Sequence, residues 1–187
     1  EPGYMEGMKK AFKHLVDLGH KRIAYVTAEG GEMEKGFFRE SRAEIFRQCS
    51  IQYFGQFDEK YMITNSGIKD NHMIGLHAGK ELMHRDLDCT AAIVVSDSLV
   101  FGFMKALRDA GKSVPDDLSV VSFGNTPFAQ TNNPTLTSVT IPTHEIGETI
   151  VRYIMGYKGK MEEMKETIQL DFPVDVISRE STGTPCS

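Results

Sequence analysis

The sequence predicts an α/β fold, a parallel sheet flanked by helices, and three observations carry that reading. Short apolar runs alternate with stretches of helical periodicity along most of the 187 residues. The run at 91–95 (AAIVV) is apolar at every position, as suits a strand covered on both faces of a parallel sheet. After it, Leu99, Val100, Phe103, Met104 and Leu107 recur at helical spacing, and 118–123 reads as a second buried strand, so the unit is strand, helix, parallel strand. Ligands bind at the carboxyl ends of such strands, where Ser96, Asp97, Asn125 and Thr126 stand.

Taken in order, Met8, Ala11, Phe12, Leu15 and Val16 form one helical stripe that Gly19 ends, and a short strand is expected at 23–26. The turn at 28–31 contains Gly30-Gly31 but lacks the Lys-Ser/Thr of a phosphate-binding loop and the spacing of a dinucleotide fingerprint, so it reads as a plain connection. Phe38, Arg42, Ile45, Phe46 and Cys49 mark a helix over 33–49, and weaker strands are expected at 51–54 and 61–64. Met73, Ile74, Ala78 and Leu82 give a helix over 70–85. The helix at 97–110 stops at Gly111, and the turn at 114–117 leads into the strand at 118–123. A Thr-, Asn- and Pro-rich loop is expected at 124–134, a strand at 136–141, and a helix from Pro142 to Gly156 burying Ile146, Ile150, Tyr153 and Ile154. A charged connector at 159–166, strands at 167–170 and 174–177 and a loose tail at 183–187 complete the pattern.

Composition narrows the function. With 40% hydrophobic and 25% charged residues the chain is long enough for one sizeable core. A net charge of −5 argues against a nucleic-acid or anionic-membrane surface in this segment. The three cysteines have no paired spacing, which favours a reducing compartment, and a cytoplasmic location is expected. No apolar run approaches the roughly 20 residues of a membrane span. His72, His77 and His84 lack the i, i+4 spacing of a helical metal site, so neither metal nor cofactor is expected. Asp116 and Asp117 point apart as neighbours in a turn, and Ser96 lacks a nucleophile elbow and a placed histidine, so no catalytic set can be assembled. Asp97 reads as a helix N-cap and as a ligand contact, roles that are compatible.

Several stretches together resemble the effector-sensing domain of LacI/GalR-family transcriptional regulators. They are Gly7, Ala11 and Leu15 in a G-x-x-x-A-x-x-x-L pattern, LGHKRIAYV at 18–26, AAIVVSDSLVFG at 91–102, ALRDAGKSVPDDLSVVSF at 106–123, PTLTSV at 134–139 and ISREST at 177–182. Each piece is weak alone; their order and spacing make the set specific.

That resemblance implies a periplasmic-binding-protein-like fold with one complete lobe and part of a second. Residues 1–20 and 139–160 are assigned to the partial N-terminal lobe, and residues 21–138 and 161–187 to the C-terminal lobe and its tail. It implies a small-molecule effector, a sugar, bound between lobes, with closure altering the DNA affinity of a helix-turn-helix module outside this sequence. Ligand-binding positions map to Ser96, Asp97, Asn125 and Arg39, with Arg42 one turn away; Gly124 stands where the family carries a sugar-binding aspartate. The run from Ser122 to Pro127 resembles the branch containing maltose regulators, so a maltose-type effector is expected. A homodimer is expected to use Leu99, Val100, Phe101, Phe128 and Thr131, although Phe101 and Phe128 fit an ordinary core equally well. Two other readings share the architecture, an exported sugar-binding protein serving a transporter and a small α/β enzyme acting on sugars or nucleotides.

Overall fold

Strand β3 (Ala91–Val94), helix α4 (Asp97–Asp109) and strand β4 (Ser119–Gly124) form the centre of the computed structural model, which describes residues 3–28, 42–64, 68, 70–156 and 172–186. Before them come α1 (Tyr4–Asp17), β1 (Ile23–Thr27), α2 (Arg42–Phe54), β2 (Met62–Thr64) and α3 (Asn71–His84). After them come α5 (Pro127–Thr131), β5 (Thr137–Thr140), α6 (Thr143–Gly156) and β6 (Val176–Ile177). The strands form one sheet in the order β2-β1-β3-β4-β5-β6, parallel except for β6, with Ala24 beside Ala92, Ala92 beside Val120 and Val121 beside Thr137. Every residue of β1 and β3 is buried, the condition that makes their sequences apolar at every position but Thr27 rather than alternating.

Helices cover both faces. The helix between β1 and β2 and those leading to β3 and β4 cross the sheet in opposite directions, and right-handed connections therefore put α2 on one face and α3 and α4 on the other. On the first face an aromatic column joins three elements, with Phe12 of α1 5.1 Å from Phe46 of α2 and Phe46 stacked 4.8 Å from Tyr25 of β1. On the second face α3 and α4 meet backbone to backbone. A Cβ added at Gly75 would stand 1.9 Å from the Leu99 carbonyl oxygen, and one added at Gly102 would stand 1.9 Å from that of His72.

Four expectations are corrected. Residues 51–54 end α2 rather than forming a strand, because Tyr53 and Phe54 continue the stripe of Ile45, Phe46 and Cys49 and reach Phe12 at 5.9 and 6.2 Å. The loop at 124–134 contains α5, started by Pro127 and fixed by the buried Ala129. Helix α1 does not wait for a second lobe: Met8, Ala11, Phe12 and Leu15 lie inside the same core as the sheet. Helix α6 behaves in the opposite way. It is amphipathic yet buries no residue, and Ile150, Val151, Ile154 and Met155 are exposed. The strand expected at 167–170, the connector at 159–166 and the first part of the helix expected at 33–49 lie outside the described residues.

The C-terminal segment is also not loose. Lys10 Nζ donates to the Val174 carbonyl at 2.8 Å, Ser181 Oγ donates to that of Val120 at 2.6 Å, and the Gly183 N–H donates to Ser119 Oγ at 3.0 Å. His20, almost fully buried, donates from Nε2 to the Gly183 carbonyl at 2.9 Å, so its Nδ1 must accept from the Thr90 hydroxyl at 2.8 Å. His14 pairs through Nε2 with Thr182 Oγ1 at 2.9 Å.

Burial lowers the pKa of both histidines, against a raising influence of the Gly183 carbonyl on His20 and of Asp17 on His14. The unfolded chain therefore binds these protons more readily than the native one. Stability should be full above the unfolded histidine value near 6.5, fall as pH drops below it, and level off once the depressed native values are passed. Urea midpoints between pH 5 and pH 8 check this, and His20→Gln should flatten the slope; a midpoint that rises on acidification would contradict it.

Candidate functional site

The carboxyl ends of β1, β3, β4 and β5 open into a cleft of about 370 Å³. Its floor comes from the strand ends, Ala28, Val95, Phe123, Gly124 and Ile141, and its polar rim from Ser96, Thr126 and Thr143. Helices close the sides with Tyr4, Arg42, Asn71 and Leu99. Because parallel strands all end on the same edge, residues far apart in sequence meet here.

The expected site residues divide. Ser96 lies in the cleft as the N-cap of α4; its Oγ accepts from the Ser98 N–H at 3.3 Å and pairs with Ser98 Oγ at 2.9 Å, to which Asn71 Nδ2 also donates at 2.9 Å. A chain of hydroxyl and amide groups thus lines the mouth of α4.

Asp97 is turned away from the cleft and is 1% exposed. One carboxylate oxygen accepts from Ser122 Oγ at 2.5 Å and Ser138 Oγ at 2.9 Å, and the other from the Thr126 N–H at 2.7 Å and Thr126 Oγ1 at 2.8 Å. Four donors from β4, β5 and the turn after β4 occupy it, so it ties strand ends together. The expected ligand contact at Asp97 is corrected to this internal one, since a buried charge is stable only when its hydrogen-bonding capacity is met.

Asn125 is corrected for a related reason. Its backbone is left-handed, φ 48°, it is not among the residues lining the cleft, and its Oδ1 accepts from Arg179 Nη2 at 2.7 Å. Arg179 in turn donates from Nη1 to the Leu136 carbonyl. Arg39 lies outside the described residues, whereas Arg42 lines the cleft with its guanidinium 4.7 Å from the centre of the Tyr4 ring. Tyr4, Asn71 and Thr143 were not anticipated; each begins a helix, and only the tertiary packing of those helix starts brings them to one edge.

The expected dimer residues also divide. Leu99 and Val100 are 2% and 0% exposed and belong to the core, which corrects their assignment to an interface, because α4 turns that side toward the sheet. Phe128 is 57% exposed and meets the partly buried Phe101 edge-on at 5.5 Å, and Thr131 is exposed. Among the described residues no helix is long and apolar enough to cross a membrane, and no group of three or more His, Cys, Asp and Glu side chains stands together as metal ligands do.

Comparison with known proteins agrees with this geometry. The profile of the periplasmic binding protein-like domain matches residues 12–182. The HTH-type transcriptional regulator DegA of Bacillus subtilis (strain 168) is 30% identical over 182 residues, covering 96% of this chain and 50% of that protein. The catabolite control protein A of Priestia megaterium is 27% identical over 179 residues, covering 96% of this chain and 52% of that protein. A solved complex of the transcriptional regulator CelR with cellobiose superimposes with a TM-score of 0.78 at 26% identity, over 95% of this chain and 52% of that one. The chain thus spans about half the length of these relatives, which are LacI-type transcriptional regulators. A profile match over most of the sequence, joined to the parallel sheet and its open carboxyl edge, establishes that the chain belongs to the periplasmic binding protein-like domain family.

Proposed function

We propose that this chain is the sugar-binding part of a LacI-type transcriptional repressor, acting in the cytoplasm, with DNA binding carried by a helix-turn-helix module outside the sequence. The observation that carries the reading is the cleft itself, where Ser96, Asn71, Thr126, Thr143 and Arg42 gather polar groups beside the aromatic rings of Tyr4 and Phe123 at the sheet's carboxyl edge. Such a mixture of apolar walls and a few placed polar groups suits a small polyhydroxy ligand. The cellobiose bound by CelR supports a sugar as the ligand class, and a glucoside of the maltose type fits the same chemistry.

In this reading α6, with residues 139–160, belongs to a second lobe whose remainder covers Ile150, Val151, Ile154 and Met155. Ligand held between two lobes shifts their relative position, and DNA affinity follows through linkage. Pairing of two copies through Phe101, Phe128 and Thr131 completes the proposal. Sedimentation should show a dimer that Phe128→Glu converts to a 20.9 kDa monomer without lowering its melting temperature; an unchanged sedimentation profile would remove this face from the interface.

A thermal-shift screen of mono- and disaccharides tests the function. A ligand at 100 times its dissociation constant should add about 2.7 kcal/mol of apparent stability. Ser96→Ala should weaken that shift, while Asn125→Ala should lower stability through the lost Arg179 contact and leave the ligand-induced increment intact. A screen in which no sugar moves the melting temperature would count against the reading.

A further inference from the structure

A second cavity lies at the opposite end of the sheet from the cleft described above. It measures about 300 Å³ and is built where α3 and α4 end and β3 and β4 begin. Leu82, Leu107 and Leu118, all nearly fully buried, form its floor, and the half-buried Met83, Leu87 and Cys89 form its walls. Burial pushes the Cys89 thiol up to about 11, so it stays neutral and belongs with the apolar wall. Asp86, Ala110, Lys112 and Asp117 stand at the exposed mouth.

Charge at the mouth is unbalanced. Lys112 Nζ donates to Asp117 Oδ1 at 3.3 Å, and Asp117 Oδ2 accepts from the Ser113 N–H at 2.8 Å and Ser113 Oγ at 2.9 Å, so this pair is satisfied. Asp86 is left over, its carboxylate taking no hydrogen bond or ion pair among the described residues. Its place is unfavourable twice. It follows Arg85, the C-cap of α3, with φ 47°, at a position that glycine ordinarily fills, and a negative charge there is opposed by the C-terminal end of the helix dipole. Ala110, the C-cap of α4, brings a second negative helix end to the same mouth. A cation relieves all three charges. The leucine floor adds a second requirement, because a hydrated metal ion would leave it unused and a sugar would set hydroxyl groups against it.

We propose that this cavity is a second binding site, independent of the sugar cleft, for a small primary alkylamine. The ammonium group meets Asp86 and the ends of α3 and α4, and the alkyl chain lies against Leu82, Leu107 and Leu118.

Isothermal titration of the 187-residue chain at low, fixed ionic strength tests it with three probes that share one tail, hexylammonium, hexanol and hexanoate. The ammonium should bind about five times tighter than the alcohol, as an exposed ion pair and two helix ends together provide, and the carboxylate should bind most weakly. Added salt should narrow the gap between ammonium and alcohol. Methylammonium, a charge without a tail, should bind weaker than hexylammonium by roughly tenfold or more. Asp86→Asn keeps a residue that tolerates the left-handed backbone and should bring the ammonium to within about twofold of the alcohol. Ala110→Leu fills the mouth from an exposed position and should weaken ammonium and alcohol alike by roughly tenfold. An alcohol that binds as tightly as the ammonium, a methylammonium that binds as tightly as hexylammonium, or an ammonium affinity that either variant leaves unchanged would overturn the proposal. Binding of no probe would overturn it as well, and none of these outcomes touches the sugar-binding reading.

Discussion

Gly102→Ala should lower stability by about 3 kcal/mol, among the largest effects expected of a single added methyl group at the described glycines. Helix propensity alone gives the opposite sign, a gain of roughly 0.5–1 kcal/mol for alanine over glycine inside a helix. Sterics decide. The new Cβ would meet the His72 carbonyl oxygen at 1.9 Å and the Leu76 nitrogen at 2.6 Å, and both are backbone atoms with no rotamer to change. Relief requires α3 and α4 to separate by more than an ångström, which opens the contacts of Leu99, Phe103 and Leu107 beneath them. Gly75 presents the same contact from the other side, with its Cβ 1.9 Å from the Leu99 oxygen.

The double variant Gly75→Ala/Gly102→Ala should therefore cost less than the two single changes added together, because one separation of the helices relieves both clashes. Gly147→Ala is the control. It lies in α6 with nothing within 4 Å of its added Cβ, and should be neutral or slightly stabilising. Urea midpoints of the four variants check the set. A Gly102→Ala protein as stable as the parent would show that the two helices do not approach this closely.

Asp97→Ala should cost about 3–5 kcal/mol. Hydrogen bonds to a charged group contribute about 1.5–3 kcal/mol each, and their sum is reduced because the four share one acceptor. The hydroxyls of Ser122, Ser138 and Thr126 can rotate, but the half-buried Thr126 N–H is fixed by the backbone and would lose its acceptor. Asp97→Asn retains the shape and replaces one acceptor with a donor pointed at donors, so it should also destabilise, by about half as much. Both variants should unfold at lower urea with an unchanged slope, since the surface exposed on unfolding is the same. A loss below about 1 kcal/mol would mean that the strand ends are held by other contacts.

The sheet was legible in the sequence because a strand buried on two faces carries few polar positions: 23–26 and 91–95 have none, and 118–123 has only the small, buried Ser119 and Ser122. The helices at 70–85 and 97–110 were legible through their stripes and stops. Residues 51–54 were misread because Ile51, Tyr53 and Phe54 are good strand formers locally, and only Phe12, some forty residues away, makes their helical register favourable. In the site, Ser96 was legible as a polar residue after a strand. Asp97 and Asn125 were placed on the correct edge but given the wrong direction, because sequence fixes the strand end and not the way a side chain turns beyond it. The partners that turn them inward, Ser138 and Arg179, lie 41 and 54 residues further along the chain. Leu99 and Val100 follow the same rule, their helix face being set by the sheet below them.

The hydrogen bonds from Lys10, His14 and His20 to the C-terminal segment span 163 to 168 residues. A ribosome adding about 5–20 residues per second needs roughly ten seconds or more to deliver both ends of those bonds. Until then the nascent chain has a sheet edge with no closing segment and a His20 with no acceptor for its ring proton. The lobe therefore closes only once residues 174–183 have been made, and a chain terminated before Val174 would present an unfinished edge to cellular proteases.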